Sequence, residues 1–350
     1  MEYRTLGRTG LRVSTLTFGT MTFAGSGAFK DVGNTDLAGA KRQVDLCLDA
    51  GINFFDTADI YSAGQSEEVL GEAIAGKRDK LLIATKARFR MGEGANDAGL
   101  SRHHLMKACE ASLRRLKTDH IDFYWLHEWD GQTAVEEMLS ALDTLQRAGK
   151  IGSFGVSNFS GWHAMKMLGA SERLGLPRPA AQQIHYSLQA RDAESELIPV
   201  AIDADLPLVV WSPLGGGLLS GKYRRNQPWP EGTRLAGDWT EPPIHDVEKL
   251  YDIVDVLLEV ANGLNATPAQ VALAWLLGRP GVASLIVGAR TEAQLKDNLA
   301  AAELKLPEDA RAKLDQVSQK PLLYPYWHQA KTASDRLSEA DLSLLKPFIG

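Results

Sequence analysis

Residues 51–74, GINFFDTADIYSAGQSEEVLGEAI, hold the unit that sets the architecture. The apolar run INFF closes on Asp56, a polar turn carrying Tyr61 follows, and Ser66 stands as a helix N-cap before EEVLGEAIAG, whose apolar residues fall at helical spacing. The same strand-then-helix unit recurs on either side. Short β-branched or aromatic runs lie at Thr15 to Gly19, Ile52 to Asp56, Leu81 to Lys86, Ile121 to His127, Ile151 to Ser157, Ala181 to His185, Leu206 to Ser212 and Ser284 to Gly288. Strands alternating with helices predict a parallel sheet, and eight of them close a barrel filled by side chains. The expectation is therefore an α/β chain in which residues 1–350 form one (β/α)8 barrel domain of the TIM type.

The connecting segments agree with that reading. DLAGAKRQVDLCLDAG, LSRHHLMKACEASLRRLK and TAVEEMLSALDTLQRAG have helical periodicity, the first stopping at Gly51 and the third at Gly149, and Ser160 is an N-cap for GWHAMKMLGASERLG. YRTLGRTGLRVSTLTF reads as an N-terminal β-hairpin capping one end of the barrel. About seventy residues separate the seventh run from the eighth. Their first part, GKYRRNQPWPEGTRLAGDWTEPPIHD, is rich in Pro, Gly and Trp and predicts a lid, whereas VEKLYDIVDVLLEVANGL and PAQVALAWLLGR predict helices. After the eighth run, EAQLKDNLAAAE and PEDARAKLDQVS predict extra helices, followed by a tail whose Tyr324, Tyr326 and Trp327 would fold over a neighbouring surface.

Bulk composition excludes several classes of function. The 350 residues are 44% hydrophobic and 23% charged, ordinary values for a globular chain. A net charge of -6 with scattered Lys and Arg gives no footprint for a nucleic-acid partner. Cys47 and Cys109 both sit in helical segments and read as packed small hydrophobes, not as a disulfide or zinc framework. The opening residues hold no signal-peptide run, and no stretch reaches the roughly 18 apolar residues of a membrane span. A cytoplasmic location without membrane partners is expected. Homo-oligomers are compatible with the sequence.

Asp56, Lys86 and His127 each close an apolar run, and Tyr61 follows Asp56 by one turn. Taken singly, they also read as a turn residue, a solvated strand end, a core histidine and a loop aromatic. On neighbouring strands of a parallel barrel they converge on the face where such barrels keep their chemistry. A phenol with pKa near 10 is a weak acid at neutral pH and needs a cation beside it. Lys86 would supply that charge, Asp56 would hold the ammonium, and His127 would hydrogen-bond a substrate oxygen or relay a proton. The pattern stabilises negative charge developing on oxygen, as carbonyl reduction by hydride requires.

Over nearly its whole length the chain resembles an aldo-keto reductase of the longer, bacterial-type branch related to channel β subunits. The resemblance lies in YRTLGRTGLRVSTLTFGTM, GINFFDTADIYSAGQSEEVLGEAI, LLIATK, DFYWLHEWD, GKIGSFGVSNF, QQIHYS, WSPLGGGLLSGKY and VGARTEAQLKDNL. It implies a (β/α)8 barrel that binds NADPH without a Rossmann domain, with Tyr61 as proton donor among Lys86, Asp56 and His127. Ser157, Asn158 and Gln183 match the residues that hold the nicotinamide carboxamide, and Trp211 the ring stacked on the nicotinamide. Ser212, Leu214, Gly216, Leu218 and Lys222 match the pyrophosphate segment, where glycines permit close main-chain approach. Gly288, Arg290, Gln294 and Asn298 match the adenosine end. Where many members place a Lys and an Arg, this chain has Gly288 and Gln294, which leaves a 2′-phosphate largely to Arg290 and leaves NADH open as an alternative. Glu128 beside the imidazole could alter its protonation.

Met21, Phe89, Trp129, Trp239 and Tyr324 are the expected wall of an apolar, aromatic substrate pocket. The predicted reaction is the reversible reduction of a small-molecule aldehyde or ketone. One rival is a nicotinamide-sensing regulatory subunit with little turnover, and another is a barrel isomerase or aldolase using Lys86 as a Schiff-base amine. Other motifs lead nowhere. Gly216 to Lys222 has P-loop spacing, but Tyr223 cannot ligate magnesium and RRNQPWPEG cannot start the required helix. The glycines at 25 and 27 lack the rest of a dinucleotide fingerprint, and His103 and His104 point to different helix faces, so a metal site is not expected.

Overall fold

The structure, a computed structural model, describes residues 1–231, 233 and 239–349. Strands β1 (Tyr3–Thr5) and β2 (Arg12–Ser14) pair antiparallel as the expected hairpin. The eight strands β3 (Leu16–Gly19), β4 (Phe54–Asp56), β5 (Leu82–Ala87), β6 (Ile121–Leu126), β7 (Ile151–Ser157), β8 (Gln182–His185), β9 (Leu208–Trp211) and β10 (Val282–Val287) close a parallel barrel, with β10 returning to β3. Every expected run overlaps one of them, so the chain folds as a (β/α)8 barrel.

Around the barrel run α1 (Leu37–Asp49), α2 (Gln65–Ala73), α3 (Arg102–Leu116), α4 (Val135–Arg147), α5 (Gly161–Leu174), α6 (Ala193–Asp203), α7 (Val247–Leu264) and α8 (Pro268–Leu277). Beyond β10 follow α9 (Glu292–Ala300), α10 (Glu308–Ser318), α11 (Tyr326–Thr332) and α12 (Glu339–Leu345), the last packed on α6. Local sequence explains several starts. Asp36 caps α1 through Gly39 N at 2.7 Å. Ser160 and His163 form a reciprocal capping box at α5, as Thr267 and Gln270 do at α8. The expected cap at Ser66 is corrected. Gly64, with φ 95°, occupies the N-cap position of α2, and the buried Ser66 hydroxyl donates to Thr20 O at 2.8 Å.

Because side chains alternate along a strand, each strand divides its residues between two cores. Phe55, Ile83, Tyr124, Leu126 and Phe154 face outward and pack against helix residues such as Val44, Leu105 and Leu142. Phe54, Ala84, Phe123, Trp125 and Val209 face inward and pack with Leu6 and Val13 of the hairpin region, which closes the N-terminal mouth. Each large aliphatic or aromatic side chain among them contributes about 1.5–3 kcal/mol on burial. The interior is tight at Gly155, where an added Cβ would lie 2.4 Å from the Trp125 ring and 2.6 Å from Ala181 O. With the lower barrel filled, the open space is left at the carboxyl ends of the strands.

The segment expected to form a lid lies in the connection from β9 to α7, and its residues 232 and 234–238 lie outside the described residues. The tail departs from expectation. Tyr324 is 75% exposed and Trp327 51% exposed, so these rings face outward. Among the described residues, no helix is long and apolar enough to cross a membrane.

Candidate active site

Asp56 ends β4, Lys86 stands one residue before the end of β5, His127 directly follows β6, and Tyr61 sits on the turn between β4 and α2. The barrel register sets β4, β5 and β6 side by side, so the four side chains meet at one end of the barrel. Lys86 is fully buried. Its Nζ donates to Asp56 Oδ2, to Thr57 O at 2.7 Å and to Tyr61 Oη at 3.2 Å. An ammonium has three protons, and each has an acceptor. The other Asp56 oxygen, Oδ1, accepts from Gln183 Nε2 at 2.8 Å.

This arrangement fixes the charges. Burial works against the Lys86 ammonium, but Asp56 and Tyr61 outweigh it and hold its pKa above the ordinary lysine value. A lysine kept protonated on three acceptors is a poor nucleophile, which weighs against the Schiff-base rival. For Tyr61, burial raises the pKa more than Lys86 lowers it. The expected acidifying effect of the lysine is present but subordinate, and the phenol keeps its proton. Since Oη accepts from Lys86, that proton is directed elsewhere, and Tyr61 lines the adjoining cavity.

His127 is 8% exposed, and its pKa lies well below the usual histidine value because of burial first, then the charges of Lys86 and Arg88. The imidazole is therefore neutral, through causes that do not include Glu128. Its Nδ1 has no hydrogen-bond partner among the described residues. The ring stands edge-on to Tyr61, with centroids 6.0 Å apart, and to Phe89 at 4.7 Å.

From this cluster a cavity of about 990 Å³ runs along the carboxyl ends of the strands. Ser157, Asn158, Gln183, Trp211, Ser212, Leu214, Gly216, Lys222, Gly288, Arg290, Gln294 and Asn298 all line it, in addition to Met21, Phe89 and Trp239. Several of these are already tied to one another. Asn158 accepts from Trp211 Nε1 at 2.9 Å and donates to His127 O at 3.1 Å. Ser212 Oγ accepts from Gly216 N at 3.0 Å. The Gln294 side chain accepts from Arg290 N at 3.0 Å, and Arg290 donates to Asp31 O at 2.7 Å. Ser157 Oγ is buried without a partner among the described residues. At Gly216 an added Cβ would meet Pro242 at 3.2 Å, and at Gly288 it would meet Gly19 O at 3.2 Å, so a side chain at either position would crowd its neighbour.

Three residues expected to contact cofactor or substrate are not on this wall. Leu218 is fully buried in the turn after β9. Trp129 stacks on His163 of α5, with centroids 4.0 Å apart and an interplanar angle of 12°, and packs edge-on to Phe159 and Trp162. Tyr324 faces outward in the tail. Lys86 is also off the wall, but it lies behind Tyr61 and Asp56 and reaches the site through them. Conversely, Phe29, Glu128 and Glu241 line the cavity without having been assigned there. Phe29 packs 5.4 Å from the Tyr61 ring and 5.9 Å from Trp239. All three lie outside periodic segments, where sequence carries no signal of side-chain direction.

Residues 15–319 match the aldo/keto reductase family. The chain is 39% identical over 330 residues to the uncharacterized oxidoreductase YrpG of Bacillus subtilis (strain 168), covering 91% of this chain and 96% of that protein. It is 35% identical over 325 residues to a probable voltage-gated potassium channel subunit beta of Arabidopsis thaliana, covering 91% and 96%. A putative voltage-gated potassium channel subunit beta of Schizosaccharomyces pombe is 34% identical over 328 residues, covering 91% and 93%.

Proposed function

We propose, since this chain belongs to the aldo/keto reductase family and shares its general oxidoreductase role, that it reduces aldehyde or ketone carbonyls to alcohols with NADPH, reversibly. The observation that carries the proposal is the contact between Lys86 Nζ and Tyr61 Oη at 3.2 Å. It leaves the Tyr61 proton free for a ligand in the cavity and sets a cation where phenolate charge would appear.

The residues present fit a nicotinamide dinucleotide. A long crevice, an orphaned buried hydroxyl at Ser157 and two glycines on the crevice wall are what an extended ligand with a carboxamide and a pyrophosphate would use. Ser157 would hold the carboxamide with Gln183 and Asn158, Trp211 would stack on the ring, and Ser212, Leu214, Gly216 and Lys222 would line the pyrophosphate. Arg290, with Gly288, Gln294 and Asn298, would hold the adenosine end, and its guanidinium would pair with a 2′-phosphate. When bound, that cofactor supplies a hydride to the carbonyl carbon.

The chain's own groups complete the reaction. Tyr61 Oη gives its proton to the carbonyl oxygen, and Lys86 steadies the phenolate left behind. Asp56, braced by Gln183, keeps Lys86 charged and in place. Neutral His127 offers an N–H to the substrate oxygen as negative charge develops there. In the oxidative direction Tyr61 acts as the base. Residues 1–350 would act as one domain in a reducing cytoplasm, in keeping with two buried, free cysteines.

Steady-state turnover of an aldehyde such as nitrobenzaldehyde with NADPH, and with NADH in parallel, tests the proposal. Sustained turnover is expected, faster with NADPH. The names of the channel-subunit relatives favour a second reading, a regulatory subunit that senses the cofactor. That reading predicts tight cofactor binding with at most a single turnover.

A further inference from the structure

Beside its aromatic residues, the substrate end of the cavity carries two carboxylates. Glu128, directly after His127, and Glu241, in the connection from β9 to α7, both line the cavity together with Tyr61 and His127. Among the described residues neither carboxylate forms an ion pair, and the Glu128 Oε1 contact is with its neighbour Trp129 N at 3.1 Å. Burial, and secondarily the charge of Glu241, raises the Glu128 pKa, while Arg88 and the Trp129 N–H act in the opposite sense. Glu241 is also close enough to raise the Tyr61 pKa. The rings of Phe29, Phe89 and Trp239 stand on the same wall, and the nine-tenths buried His127 presents an unpartnered Nδ1.

Lys222 and Arg290, with Asp297, line the part of the cavity assigned to the phosphates and adenosine, whereas the charge of Glu241 reaches both Tyr61 and Glu128. Glu128 is half-buried with the Arg88 charge near it but no ion pair among the described residues, Glu241 is exposed, and a ligand of opposite charge adds to their compensation. Aromatic faces beside carboxylates also suit a cation, because the ring quadrupole attracts positive charge. Resting on the carbonyl-reductase reading of this site, we propose that the substrate is an aldehyde or ketone bearing an ammonium group a few atoms from its carbonyl, held by Glu128 and Glu241 among the rings of Phe29, Phe89 and Trp239. Carboxylated carbonyl compounds are repelled from the same place.

The test compares trimethylammonio-butanal with its neutral tert-butyl isostere, with succinate semialdehyde and with glyceraldehyde. The cation is expected to exceed the isostere in kcat/KM by about tenfold, and the anion to fall below it. That ratio should collapse toward one in the double variant Glu128→Gln, Glu241→Gln and should shrink as salt is added. A ratio at or below one, a ratio that survives in the double variant, or a preference for glyceraldehyde over the cation would overturn the proposal. Binding of butyltrimethylammonium, followed by tryptophan fluorescence, needs no turnover. Binding that weakens about tenfold in the double variant supports the cation site even if no aldehyde is reduced, an outcome that counts against the reductase reading alone. Absent binding, or equal binding by the double variant, overturns the cation site.

Discussion

Gln183 on β8 and Asp56 on β4 meet across the middle of the barrel, the amide Nε2 donating to Oδ1 at 2.8 Å. The two strands stand four places apart in a ring of eight, so they face each other. Asp56 therefore has both oxygens occupied, one by Lys86 and one by a residue 127 positions away in sequence. The brace ties the charged cluster to the wall assigned to the nicotinamide.

Removing the brace should be felt at once. Gln183→Leu leaves a buried carboxylate oxygen without a donor, and urea unfolding is expected to show a loss of about 1–3 kcal/mol. No change in stability would mean that solvent replaces the amide. Gln183→Glu, which sets a second carboxyl against the first, is expected to lose more.

Lys86 is the second test of the same cluster. Lys86→Met strands Asp56 as an uncompensated buried charge, and an expected loss of about 3–5 kcal/mol follows. Adding Asp56→Leu to Lys86→Met should recover part of that loss, because two apolar groups then replace the pair. A double variant less stable than Lys86→Met alone would contradict the coupling.

The neutral state of His127 has a consequence for pH. Its pKa in the folded chain lies well below the usual value, owing to burial and to Lys86 and Arg88, so below about pH 6.5 the unfolded chain binds a proton that the folded one does not. Stability is therefore lost as pH falls through that range and is regained above it. His127→Asn should flatten this slope between pH ~5 and ~6.5 in chemical unfolding. An unchanged slope would assign it to other histidines.

Close packing at Gly155 predicts a localised defect. With only 2.4 Å to the Trp125 ring and 2.6 Å to Ala181 O, a methyl group at this position must displace backbone. Gly155→Ala is expected to lower stability by about 1–3 kcal/mol, measured as a shift in the unfolding midpoint.

The barrel is legible in the sequence because its signal is periodic. The runs ending at Asp56, Lys86 and His127 alternate with amphipathic helices, and strand order follows from βα connectivity. The site residues at strand ends are legible for the same reason, since a strand end fixes both position and direction. Loop residues have no such rule. Trp129 is turned away by an aromatic stack with His163, and Tyr324 is carried outward in the tail, while Glu241 and Phe29 enter the cavity unannounced. Ser66 misleads because Gly64 supplies the left-handed turn at which α2 begins. The balance between burial and Lys86 at Tyr61 depends on depth, which composition does not report.

The account rests on Tyr61 as the group that gives up a proton while Lys86 receives the charge. Replacing Tyr61 with Phe and measuring both carbonyl turnover and NADPH binding tests that most directly. The expected result is a fall in kcat of about 10²–10⁴-fold with cofactor affinity preserved. A Tyr61→Phe protein that still turns over at close to the parent rate would contradict it.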